Sequence, residues 1–244
     1  MMSRLQRSWD ARAALNFMLG GAGSGLLVMA ALTGTAESWP VALALALIAA
    51  GLGAVWLEIG RKLRAVHVFF NPFTSWMTRE SLAAVVVFGF GIGSFFFTWT
   101  LPLAALSGMA FLYCQARILR AAKGIPAWRA PEVVPLILFT GLAEGAGLGL
   151  FFGMEPMIFI VAVLARALAW HRYRVAVKSP AMEPPGKALA WIGTALPLAL
   201  VLLVAPAAGF LALATGWWLK LALVTRASFN QGFSLPRLPV RGTR

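Results

Sequence analysis

The sequence predicts an all-α membrane protein, a bundle of eight transmembrane helices forming one integral membrane domain. Three observations lead there. Hydrophobic residues fill 60% of the 244 positions and charged residues only 12%, against about 45–50% and about 25% in globular chains. Charge-free runs of 18 residues or more recur along the chain. Lys and Arg fall in short segments between those runs. The composition excludes a soluble domain, a disordered tail and a collagen-like fibre. The net charge of +13 invites a nucleic-acid reading, but no basic segment is long enough to form such a surface, and no nucleic-acid partner is expected.

A hydrocarbon core about 30 Å thick needs roughly 20 apolar residues of helix. Ala13 to Thr33 is free of charge and makes the first span, and Pro40 to Leu57, ended by Glu58, the second. Ser81 to Ala116 runs 36 residues without a charge, too long for one crossing. It is expected to turn at Thr100–Leu101–Pro102, giving spans over 80–99 and 102–118. Val133 to Ala165 carries only Glu144 and Glu155 and turns near Gly153–Pro156, giving 133–152 and 156–170. Ala188 to Leu219 is 32 charge-free residues broken at Ala205–Pro206, giving 188–205 and 206–224.

Charge fixes the orientation. The hairpin tips at 34–38, 99–103, 153–156 and 204–208 hold no Lys or Arg. All 21 basic residues are assigned to the opposite face: the N-terminus, the loops 59–80, 117–132 and 166–187, and the tail from Lys220. Positive-inside segregation then places both termini in the cytoplasm, and the membrane expected is a bacterial inner membrane. The first apolar stretch exceeds the about 7–15 residues of a signal-peptide core, so it reads as a retained helix.

Several chemistries are excluded on residue counts. Cys114 is the single cysteine, so no disulfide framework, cysteine zinc site or iron–sulfur cluster belongs to this chain alone. His67 and His171 lie in loops or at helix ends, so no haem is expected, nor any metal site. The glycine-rich run 20–25 lies inside the first span rather than after a strand, which fails the context of a nucleotide loop. Gly21/Gly25, Gly89/Gly93 and Gly141/Gly145/Gly149 recur at a spacing of four, the pattern of close helix packing.

Few polar groups remain to explain. Glu144 sits within the fifth span, where a carboxylate must be neutral, paired or wet; it reads either as a hydrogen-bonded neutral acid or as a proton relay. Glu80 opens span three, where the helix dipole favours an anion, while Glu58 closes span two, where the dipole disfavours one. The segment between them mixes Phe69, Phe70, Phe73 and Trp76 with Arg64, His67 and Asn71–Pro72. It reads either as an aromatic belt at the headgroups or as the cover of a pocket for a membrane-dissolved ligand.

The order Glu58-Ile59-Gly60, Arg64-Ala65, Asn71-Pro72 and Thr74-Ser75-Trp76-Met77-Thr78-Arg79-Glu80 resembles the NrfD/DmsC-type membrane anchor family. The segments Trp9-Asp10-Ala11-Arg12-Ala13-Ala14 with Asn16, and Ile125-Pro126-Ala127-Trp128, are similar too. The tail from Thr225 to Gly242 is similar to the membrane subunits of phenylacetyl-CoA:acceptor oxidoreductase complexes. The resemblance implies an anchor for a molybdopterin catalytic subunit and a ferredoxin-like iron–sulfur subunit on the cytoplasmic face, exchanging electrons with ubiquinone or menaquinone. It implies proton exchange at Glu58 and Glu80, with Asn16, Arg64, His67, Asn71 and Trp76 as candidates for the quinone pocket. Arg64 either orients a carboxylate or meets lipid phosphate. A transporter, or a scaffold without its own quinone site, are the competing classes; the transporter predicts polar residues converging in mid-membrane, where Glu144 stands alone.

Overall fold

The computed structural model describes residues 4–6, 8–34, 37–58 and 62–230. Eight helical rods account for most of it: α1 (Ala11–Thr33), α2 (Trp39–Glu58), α3 (Trp76–Gly93), α4 (Leu101–Ala121), α5 (Val133–Gly149), α6 (Pro156–Ala176), α7 (183–200) and α8 (Ala205–Thr225), with a 3-10 helix, Lys62–Phe70, between α2 and α3. Among the described residues, five stretches are long and apolar enough to cross a membrane: Ala11–Thr33, Trp39–Glu58, Thr98–Ala121, Val133–Phe152 and Ala205–Thr225. Among the described residues the only strands are β1 (Arg4–Leu5) and β2 (Phe229–Asn230), paired antiparallel. That pairing brings the segment before α1 against the segment after α8 at one end of the bundle.

The helix starts follow local chemistry. Asp10 caps α1, its carboxylate accepting from the Arg12 amide at 2.7 Å and pairing with the Arg12 guanidinium at 2.8 Å. The Arg12 side chain, as the main influence, holds the Asp10 carboxyl below its ordinary range. Ser75 caps α3 through the Thr78 amide. Pro102, Pro156 and Pro206 occupy first turns, where a missing N–H costs nothing. The turn after α5 passes through Gly153 at φ +69°, a left-handed position suited to glycine.

α1 is the hub of the bundle, packed on α2, α4, α5 and α8. It crosses α5 where Gly25 faces Gly141 and Gly145; a Cβ at any of the three would run into backbone or a side chain across the crossing. Gly147 and Gly209 make the same close approach between α5 and α8. The expected pair Gly89/Gly93 behaves differently. Gly89 has open space around it, and Gly93 touches only Thr100 of the following turn. Spacing four therefore marks a helix crossing only where the face also meets another helix.

The core divides into a cluster around Phe17, Trp128, Tyr173 and Leu223 near the chain ends, and another around Leu26, Ile48, Phe111 and Phe159. Outside these, large apolar side chains face outward in numbers a soluble surface does not carry: Phe73 is 87% exposed, Leu202 80% and Phe96 77%. Such a surface belongs in a bilayer, and the chain is a multi-pass membrane bundle.

Candidate functional site: a buried carboxylate on a bulged helix

Helix α1 is not regular. Residues Asn16–Gly20 form a π turn between two α-helical stretches. A π turn widens the helix and offers backbone carbonyls to side-chain donors. Gln115 of α4 donates to the Asn16 carbonyl at 2.9 Å, and Lys220 of α8 donates to the Phe17 carbonyl at 2.9 Å. Held this way, the Asn16 side chain donates from Nδ2 to Glu80 Oε1 of α3 at 2.9 Å, and both residues are buried.

Glu80 and Asn16 lie between two adjoining cavities. The larger, of about 460 Å³, is walled by Leu52, Val55, Trp56, Phe69, Val85 and Phe88 among others, with Asn16, Glu80 and Ser81 as its polar groups. The smaller, of about 230 Å³, shares Asn16, Val55, Met77 and Glu80 and adds Glu58, Trp9 and Ile118. An apolar, aromatic wall with a few polar groups at one side suits a planar ligand with polar oxygens.

The SWMTRE stretch divides its labour along the start of α3. Ser75 caps the helix and Glu80 reaches the cavities. The side chain of Arg79 donates to the carbonyls of Pro72 and Phe73 at 2.8 and 2.7 Å, tying down the preceding turn. The guanidinium carbons of Arg79 and Arg117 each lie 4.2 Å from the centroid of the Trp76 ring, which meets Tyr113 edge-on. Trp76 thus pins α3 to α4 and lines neither cavity. Asn71 shapes the turn by accepting from the Thr74 hydroxyl at 2.8 Å. His67 is exposed, sits edge-on to Phe70 and also lines neither cavity. The side chain of Arg64 lies outside the described residues. Of the sequence candidates, the fold gathers Asn16, Glu58 and Glu80 and leaves His67, Asn71 and Trp76 in its supporting structure.

Glu144 has a partner the sequence reading missed. Its Oε2 pairs with Lys220 Nζ at 2.6 Å, with both side chains fully buried. Arg166 is also fully buried; it donates to the Ala212 carbonyl at 2.7 Å and to the Gly193 carbonyl. Lys220 and Arg166 were expected on the cytoplasmic face with the other basic residues. Each instead lies inside a helix, followed by apolar residues (Leu221 to Val224 and Ala167 to Trp170) that continue the rod. Glu144 is therefore not the lone charge at depth. Gln115 was missed as well, being a single amide within an apolar run.

No family model matches the chain. It is 28% identical over 169 residues to a subunit of the sulfite dehydrogenase of Allochromatium vinosum, an alignment covering 55% of this chain and 52% of that protein. The chain thus spans about half the length of the curated relative it matches.

Proposed function

We propose that the chain is the membrane anchor of a multi-subunit oxidoreductase, and that the paired cavities at Glu80 receive a quinone from the bilayer. The observation that carries this reading is a buried carboxylate, hydrogen-bonded to Asn16, set in the wall of an otherwise apolar and aromatic cavity. The similarity to a sulfite dehydrogenase subunit and the NrfD/DmsC-type motifs support the class of complex. The tail that resembles phenylacetyl-CoA complexes lies outside the described residues from position 231 onward, and the relative belongs to a different oxidation. No phenylacetyl-CoA substrate is therefore assigned to the complex.

Conversion of a quinone to a quinol takes two electrons and two protons. In this reading the electrons come from an iron–sulfur subunit docked on the basic end of the bundle, alongside a molybdopterin subunit. Glu80 exchanges a proton at one quinone oxygen, and Asn16 holds its carboxyl in place. Glu58, half-buried in the wall of the smaller cavity, links that site to the exterior by exchanging protons with Glu80. In this reading all eight rods cross a bacterial inner membrane with both termini in the cytoplasm, on the side of the β1–β2 pair.

The test is Glu80→Gln in the assembled complex. Electron transfer between the natural substrate and quinone should fall by about 10²-fold or more, the scale of a lost acid–base group. Electron transfer to a soluble artificial acceptor should persist. Retention of both rates would falsify the role of Glu80.

The buried Glu144–Lys220–Arg166 group is what a transporter reading would call on. Those side chains are fully buried and line neither cavity at Glu80, so the anchor reading stands ahead of it.

A further inference from the structure

At the end of the bundle where β1 and β2 pair, α6 and the start of α7 enclose another cavity, of about 600 Å³, which shares no lining residue with those at Glu80. Its floor is the indole of Trp170, buried where Gly186 has no side chain to obstruct it. Three cations line it, Arg174, Lys178 and Lys187, against a single anion, Glu183. Neither lysine side chain makes a hydrogen bond or ion pair with a described residue, Glu183 included. Arg174 Nη2 lies 3.2 Å from His171 Nδ1, a contact that leaves its charge unneutralised. Ser179 adds a hydroxyl at the same wall.

An apolar strip leads into this cavity. Val161, Leu164, Leu168 and Val175 follow one another at intervals of three, four and seven, which places them on one face of α6. All four are at least half exposed. Val175 is itself part of the cavity wall, and Trp191 stands opposite at 72% exposure. A free inorganic anion would leave this strip unused, as would an acidic segment of a soluble protein. A ligand with an anionic head and an acyl tail satisfies both parts.

We propose that this cavity is a binding site for an anionic phospholipid. Lys178, Lys187 and Arg174 hold the phosphate ester, Trp191 sits at headgroup level, and an acyl chain lies along Leu164, Leu168 and Val175. Basic pockets between helices at the cytoplasmic interface suit such headgroups. The site does not depend on the quinone reading.

The full chain, purified in mild detergent, is titrated with phosphatidylglycerol or phosphatidylcholine, and bound lipids are counted by native mass spectrometry. Phosphatidylglycerol should bind with one tight site and phosphatidylcholine much more weakly. Lys178→Gln with Lys187→Gln should weaken the tight site about twenty-five-fold, at about fivefold per basic residue. Arg120→Gln with Lys123→Gln, elsewhere at the same end, should leave it unchanged. Equal binding of the two lipids, or equal loss in both double variants, would overturn the site. Displacement of the lipid by excess inorganic phosphate would make it a free-anion site instead. Unchanged lipid binding with loss of a co-purifying partner subunit would make it a protein-docking face.

Discussion

Replacing Lys220 with Met removes the only cation within 4 Å of Glu144 among the described residues, in a place where water cannot substitute for it. Both members of the pair are fully buried, and Nζ also serves the Phe17 carbonyl. Breaking such a pair from one side costs about 3–5 kcal/mol, because the remaining charge is left uncompensated. Lys220→Met should therefore destabilise the bundle by that amount in a denaturing-detergent titration followed by circular dichroism. Removing both charges by Lys220→Met with Glu144→Leu should recover at least about 2 kcal/mol of the loss, since a buried pair replaced by apolar groups is often neutral. The same single variant should lower quinone-linked activity, because the Phe17 carbonyl it releases belongs to the turn that presents Asn16 to Glu80. A loss under about 1 kcal/mol for Lys220→Met, or losses that simply add in the double variant, would refute the coupled pair.

Three further outcomes follow from the geometry. Gly145→Ala should cost about 1–3 kcal/mol in the same titration, since its Cβ would meet the Gly25 backbone, while Gly89→Ala, facing open space, should be neutral or mildly stabilising. Asn16→Leu should reduce the rate with quinone and cost about 1–3 kcal/mol for the Glu80 carboxyl left without its donor, whereas Trp76→Leu should lower stability by about 1–2 kcal/mol with the rate and affinity for quinone preserved, because its ring serves two guanidinium groups rather than the cavity. Asp10→Ala should lower the melting temperature above pH 5 through loss of the α1 cap. Since the folded state holds the Asp10 carboxyl below its ordinary range, that difference is present above the unfolded value and fades as pH falls through the folded one.

The rods were legible because charge-free runs and proline-marked turns are properties of single segments. Pro156 and Pro206 stand in the first turns of α6 and α8, close to where the sequence places the breaks. Glu80 and Asn16 were legible as candidates but not as a pair, since their meeting depends on a π turn that no local pattern announces. Lys220 and Arg166 were misplaced for a definite reason. Grouping every Lys and Arg by loop puts both among the loop and tail cations, although the expected spans 156–170 and 206–224 already enclose them. A charge followed by another turn of apolar residues lies inside its helix, and its partner has to be sought on another rod. The basic segregation survives for the remaining Lys and Arg as a proposal about orientation, with two of the 21 withdrawn from it.

The glycines then take on a second task beside helix packing. A Cβ at Gly21 would collide with the Lys220 ammonium, one at Gly216 would press on Glu144 Oε1, and one at Gly193 would meet Thr215 and lie 3.2 Å from Arg166 Nη2. Each of the three buried charges is thus seated against a glycine on a neighbouring rod. Gly193 belongs to the second π turn, Trp191–Ala195 in α7, whose carbonyl Arg166 engages just as Lys220 engages the first. A π turn is less stable than α-helix unless its displaced carbonyls find donors. A buried cation is unstable unless carbonyls or anions surround it. Each defect supplies what the other lacks, and the glycines let them meet. In α1 this compensation fixes the turn that carries Asn16 to Glu80, so the charges hidden at Glu144 and Lys220 act on the candidate site without touching its cavities.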